Sequence, residues 1–155
     1  TFDQLMELEY AACVLKETLR LYPPVWLFSR RALKEDRLGD FVVPAGAHIF
    51  IAPYFLHRRP ELWPDPERFD PDRFDASRSP PVDRYAFIPF SAGARRCIGE
   101  YFSFVEMQMH LALLAPRFAL GFGPGDPAPA VELEPAVNLR TRHSIHLHIR
   151  HRSAA

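Results

Sequence analysis

The sequence predicts a mainly α fold with small β-sheets, an α+β arrangement in which helical and extended segments are segregated along the chain. Three observations carry this: two stretches with apolar residues at helical spacing, a short β-prone segment between them, and an alternating apolar pattern toward the end. The 155 residues suit one domain, with 48% hydrophobic and 25% charged residues and 19 basic against 19 acidic side chains. That balance excludes a disordered tail, and no basic stripe interleaved with aromatics points to nucleic acid. No apolar run reaches the ~18 residues of a membrane span. The start TFDQLMELEY is neither a signal peptide nor an initiator methionine.

In chain order, Leu5, Leu8, Ala12, Leu15 and Leu19 predict a helix over residues 5–21, ended by Pro23 and Pro24. Phe41 to Val43 and Ile49 to Ala52 flank Val43-Pro44-Ala45-Gly46, which suits a type I turn, and together they predict a hairpin over 41–52. Residues 60–81 mix prolines with Asp, Arg and Phe; they predict a packed meander anchored by Trp63, Phe69 and Phe74. A second helix over 100–115 is apolar at Phe102, Val105, Met109, Ala112 and Leu113, and Pro116 ends it. Gly121 to Pro129 reads as a loop. Val137, Leu139, Ile145, Leu147 and Ile149 predict a β-rich tail over 130–150.

Two cysteines, Cys13 and Cys97, cannot make a disulfide framework, which points to a reducing compartment. Cys13 is an ordinary helix residue. Cys97 lies in FSAGARRCIGE, just before the second helix, where unpaired N–H groups and the positive end of the helix dipole favour thiolate. Gly93 and Gly99 let the backbone turn sharply and approach a flat partner, and Arg95 adds a fixed positive charge. Together these fit an anionic metal cofactor, although singly Cys97 reads as one more buried free cysteine. A phosphate cradle is excluded because the GK[ST] ending is missing, and no GxSxG elbow supports a hydrolase.

The spacing FxxGxRxCxG, with Phe90, Gly93, Arg95, Cys97 and Gly99 in place, resembles the haem-thiolate signature of the cytochrome P450 family. The resemblance implies the C-terminal portion of that fold, incomplete on its own. Its parts would be helix K (5–21), the β hairpin (41–52), the meander (60–81), the cysteine haem loop (87–99), helix L (100–115) and the β tail (130–150). It implies haem b as cofactor, Cys97 as the proximal thiolate ligand of iron, Phe90 packed near the sulfur and Arg95 paired with a propionate. Charge counting agrees, because porphyrin and thiolate balance ferric iron while two propionates still need cations. By the same resemblance Arg31 is a further propionate partner, with Arg30 as its competitor one residue away. Ser91 and Ser103 depart from the glycine and alanine usual at their positions.

ETLR, which alone reads as a solvated i, i+3 pair, resembles the ExxR motif of the same family. This implies a structural triad of Glu17, Arg20 and an arginine of the meander, Arg73 in FDPDRF, with Arg68 in PERF as its competitor. Val25, Trp26, Leu27 and Val137 would line the substrate pocket.

The activity implied is insertion of one oxygen atom from O2 into an apolar small molecule. Electrons would come from a ferredoxin or flavoprotein reductase docking near Arg96 and Arg84. The protein is expected to be a monomer, and 17 Arg against two Lys suggest a bacterial, cytoplasmic enzyme, with an anchor in preceding residues left open. One alternative is a haem-thiolate peroxygenase or isomerase that needs no external electrons. The other is a non-catalytic metal-binding remnant centred on His143, His146, His148 and His151, with His146 and His148 on one strand face. The family's oxygen-activating distal helix precedes helix K. The chain is therefore expected to be the last third of a larger enzyme that folds poorly and holds haem weakly alone.

Overall fold

The computed structural model describes residues 8–123 and 130–152. Helix α1 spans Glu9–Leu21 and buries Cys13, Leu15, Leu19 and Leu21 together with two charged residues, Glu17 and Arg20. Leu5, placed in this helix by its periodicity, lies outside the described residues. The helix stops at Tyr22, whose backbone leaves the helical region ahead of Pro23 while its N–H still donates to the Thr18 carbonyl.

The hairpin expected over 41–52 does not form. Strand β3 (Phe41–Val43) pairs with β2 (Asp36–Leu38), and β4 (His48–Ile51) pairs with β1 (Phe28–Arg31), so one antiparallel ribbon is nested between the strands of another. The physical reason is the Gly39-Asp40 pair between Leu38 and Phe41: Gly39 has φ +58°, so two residues close a tight hairpin there and take Phe41–Val43 as its second strand. Pro44 instead opens the turn into β4. The Ala47 N–H donates to the Pro44 carbonyl, and Gly46, at φ +84°, is its third residue, the geometry of a type II turn rather than type I.

A single helical turn, α2 (Pro53–Leu56), leads into the meander, whose one regular piece is a 3₁₀ turn at Pro71–Phe74 that packs on α1. Its anchors are Trp63, Phe74 and Phe87, with ring centroids 4.8–6.5 Å apart. Phe69 is not among them; it is exposed, and Phe87 takes the place assigned to it.

The cysteine loop contains a 3₁₀ turn, Gly93–Arg95, and runs into helix α3 (Glu100–Leu114). Of the apolar positions that predict α3, Phe102 is 72% exposed and Met109 and Leu113 are also exposed, while Val105 and Ala112 are half-buried. Its one buried residue is Gln108. A helix apolar on most sides needs neighbours on most sides, and among the described elements the main partner of α3 is α1. Strand β5 (Phe118–Gly121), unforeseen in the sequence, pairs with β8 (His148–His151); β6 (Leu133–Pro135) pairs with β7 (Leu139–Thr141). The tail thus splits between two ribbons. Because β8 begins only at His148, His146 does not share a strand face with it.

Candidate functional site

The buried centre is the pair Glu17–Arg20, both fully excluded from solvent and bidentate, with Nε to Oε2 at 2.7 Å and Nη2 to Oε1 at 2.8 Å. Helical spacing puts the two on one face of α1. A buried ion pair survives desolvation only when its remaining donors and acceptors are satisfied. Nη1 of Arg20 donates to the carbonyls of His57 and Pro66, both at 2.7 Å, and Nη2 to that of Arg68 at 3.1 Å. All five guanidinium N–H groups are therefore engaged. Glu17 Oε1 also accepts the Asp70 amide at 2.8 Å.

Of the two candidate third members, the structure brings Arg73 to the pair: its Nε stands 3.6 Å from Glu17 Oε1, too far for a hydrogen bond but close enough for charge attraction. Its Nη2 donates to the Asp65 carbonyl. Arg68 contributes only its backbone carbonyl.

His57 was not singled out from the sequence. It is fully buried; its Nδ1 is 3.2 Å from the Arg20 carbonyl, and its Nε2 accepts the Ile88 amide at 3.0 Å. Because Ile88 N–H is the donor, Nε2 carries no proton, and the proton sits on Nδ1 and points at Arg20. Burial, reinforced by the guanidiniums of Arg20 and Arg58, lowers its pKa to about 4, so the ring is neutral. The available signal was a histidine directly after the apolar run PYFL.

In the cysteine loop the Cys97 N–H donates to the Phe90 carbonyl at 2.9 Å, which closes the loop and leaves the thiol side exposed. Gly93 sits at φ +73°, a conformation that disfavours a side chain, whereas Gly99 is the N-cap of α3, where a Cβ would stand 3.8 Å from the Cys97 sulfur. Phe90 packs on Phe104 of α3, centroids 5.6 Å apart. Ser91 occupies φ +65°, which explains why glycine suits this position; its hydroxyl accepts Arg30 Nη2 at 2.6 Å.

A cavity of about 440 Å³ is lined by Cys97, Arg95, Arg30, Phe90, Val25 and Phe28, among others. The cation from β1 that reaches it is Arg30, not Arg31. Strand alternation decides this: Phe28 and Arg30 face one way, half-buried, while Ser29 and Arg31 face the other, exposed. Arg31 lies instead beside Gly46. Among the described residues no hydrogen bond or ion pair engages the Arg95 guanidinium.

Of the residues placed at a substrate pocket, Val25 lines this cavity. Trp26 and Leu27 do not; the Trp26 indole N–H donates to the Ala136 carbonyl at 2.8 Å. Val137 is 93% exposed, at the tip of the β6–β7 hairpin. Among the described residues no three His, Cys, Asp or Glu side chains converge on a metal position, and the His151 ring packs at a tilt against Phe118. The donor set that fits a haem is thus one exposed thiol, an apolar wall and two cations lining a single cavity.

The family model described as cytochrome P450 matches residues 1–147. A Streptomyces melanosporofaciens protein named cyclooctat-9-en-7-ol 5-monooxygenase is 45% identical over 81% of the chain and 27% of its own length. Mus musculus cytochrome P450 4V2 is 43% identical over 76% of the chain and 22% of its own length. Drosophila melanogaster probable cytochrome P450 4d20 is 39% identical over 99% of the chain and 29% of its own length. The chain spans between a fifth and a third of the length of these relatives.

Proposed function

Because the chain belongs to the cytochrome P450 family, we propose that it forms the thiolate-bearing side of the haem site in a monooxygenase acting on an apolar small molecule. The observation that carries the reading is the exposed Cys97 thiol lining the same cavity as Arg95 and Arg30. Cys97 would hold haem b through its iron, and Arg95 and Arg30 would hold the two propionates. When bound, haem supplies the binding and reductive activation of O2.

The chain's own residues fix the geometry around it. Arg30 is oriented by the Ser91 hydroxyl and by the Phe28 ring 4.8 Å beneath its guanidinium. Glu17, Arg20 and Arg73 hold the meander and perform no chemistry. The reading extends to substrate and partner: an apolar substrate agrees with the relative named as a monooxygenase of cyclooctat-9-en-7-ol, and electrons come from a ferredoxin or flavoprotein reductase. Arg84 is exposed for such a contact, whereas Arg96 is paired with Glu100. No helix among the described residues is long and apolar enough to cross a membrane; the arginine-rich composition supports a bacterial, cytoplasmic setting.

Absorption of the full-length protein, reduced and carbon-monoxide-bound, tests the reading. A haem-thiolate Soret band is expected in the wild type and lost in Cys97→Ser. Its persistence in the variant overturns the assignment.

A further inference from the structure

A continuous hydrogen-bonded path joins α1 to the cysteine loop, and its middle member is a side chain. The Arg20 guanidinium donates to the His57 carbonyl, and the His57 ring returns a bond from Nδ1 to the Arg20 carbonyl. On its other edge the ring accepts the Ile88 amide. The Ile88 carbonyl then accepts the Ser91 amide, and the Phe90 carbonyl accepts the Cys97 amide.

We infer that His57 is a positioning residue for the cysteine loop, its imidazole locking Ile88, two residues before Phe90, to the Glu17–Arg20 pair. The site needs a donor near the backbone of residue 57 and an acceptor at the far edge of a flat ring, and a neutral imidazole with its proton on Nδ1 has both. The ring is wedged against Phe87, centroids 5.4 Å apart, so neither bond can swing away. Removing the acceptor leaves a buried amide unpaired, and the loop entry must shift to regain a partner. His57 thus acts at a distance from the thiol, through backbone alone.

Two substitutions separate this role from mere filling of the core. His57→Asn keeps a donor for the Arg20 carbonyl and removes the acceptor for Ile88; His57→Gln reaches the Ile88 amide and gives up the donor. In the full-length protein, amide hydrogen exchange at Ile88 and Cys97 is expected to rise together by about ten-fold in the Asn variant and to stay near wild type in the Gln variant. Resting on the haem-thiolate reading, the carbon-monoxide spectrum should lose its thiolate band in Asn and keep most of it in Gln. Equal exchange and equal spectra in the two variants overturn the inference. Should either variant fail to fold, the wild type decides: Ile88 and Cys97 amides opening as one unit support the lock, and independent opening refutes it. A wild type lacking any thiolate band overturns the proposed function instead, and the exchange result still judges His57.

Discussion

Arg20 and His57 are both fully buried, and each answers the same problem, a polar group without water. Arg20 resolves it with five donors and five acceptors. His57 resolves it by giving up its charge, and this has a pH signature. In the unfolded chain its ring takes up a proton near the ordinary 6.5, but in the folded protein only near 4. Between these values the unfolded state binds more protons, so stability falls as pH drops from about 6.5 to about 4, and the contribution levels off below. The groups facing the ring are Arg20 from α1, Arg58 from its own segment, and the Phe87 ring and Ile88 amide from the start of the cysteine loop. The loss attributable to His57 is roughly 3 kcal/mol at its full extent. Denaturant titrations of full-length wild type and His57→Gln across this range should differ by that slope; identical slopes would contradict the buried, neutral ring.

At the scale of elements, the alternation of strand β1 puts Arg30 rather than Arg31 on the lining of the cavity. Arg30→Gln is expected to speed haem loss from the full-length protein by about ten-fold, the worth of one charge-assisted hydrogen bond, and Arg31→Gln to leave it unchanged. Rates of haem transfer to an acceptor protein check this, and the reverse ranking would restore Arg31. The comparison also shows what was legible in the sequence. The motif spacing named the cysteine loop and ExxR, but a motif carries no pleat, so a one-residue register choice between Arg30 and Arg31 needed the strand. Gly39-Asp40 is a shorter and stronger hairpin signal than the turn at Pro44, because two residues with a positive φ at the first close the strands directly. Periodicity found α3 yet could not say that its apolar positions face outward, because a helix apolar all round has no face to read. His57 was missed because a lone histidine in a loop has no spacing to betray it; only the three-dimensional neighbours Arg20 and Ile88 define its role.

For the whole molecule, the exposed apolar surface is the dominant fact. Tyr101 and Phe102 on α3 and Ile98 beside the thiol are all more than 60% exposed, and Ile149 and Leu120 leave the β5–β8 ribbon uncovered. A stable monomer rarely leaves so many large apolar side chains open to water. The 155 residues expressed alone are therefore expected to bind an apolar dye strongly and to unfold over a broad, weakly cooperative transition. A sharp calorimetric transition without dye binding would show that they suffice as a folding unit. The Arg20 guanidinium is by contrast fully satisfied within the chain, since its hydrogen-bond acceptors lie between residues 17 and 68. Among the described residues, hydrogen bonds of long reach clasp the start of the chain to the tail: the Trp26 indole on the Ala136 carbonyl, 110 residues apart, and the Leu139 amide on the Pro24 carbonyl. On a ribosome, which delivers the chain from its N-terminal side, the segment beside Val25 must wait with its indole and carbonyl unclaimed until residue 139 has left the exit tunnel. The cavity wall is thus among the last parts of the chain to be secured, and a stop codon ahead of residue 136 would release a product that still carries Cys97 but never acquires this clasp.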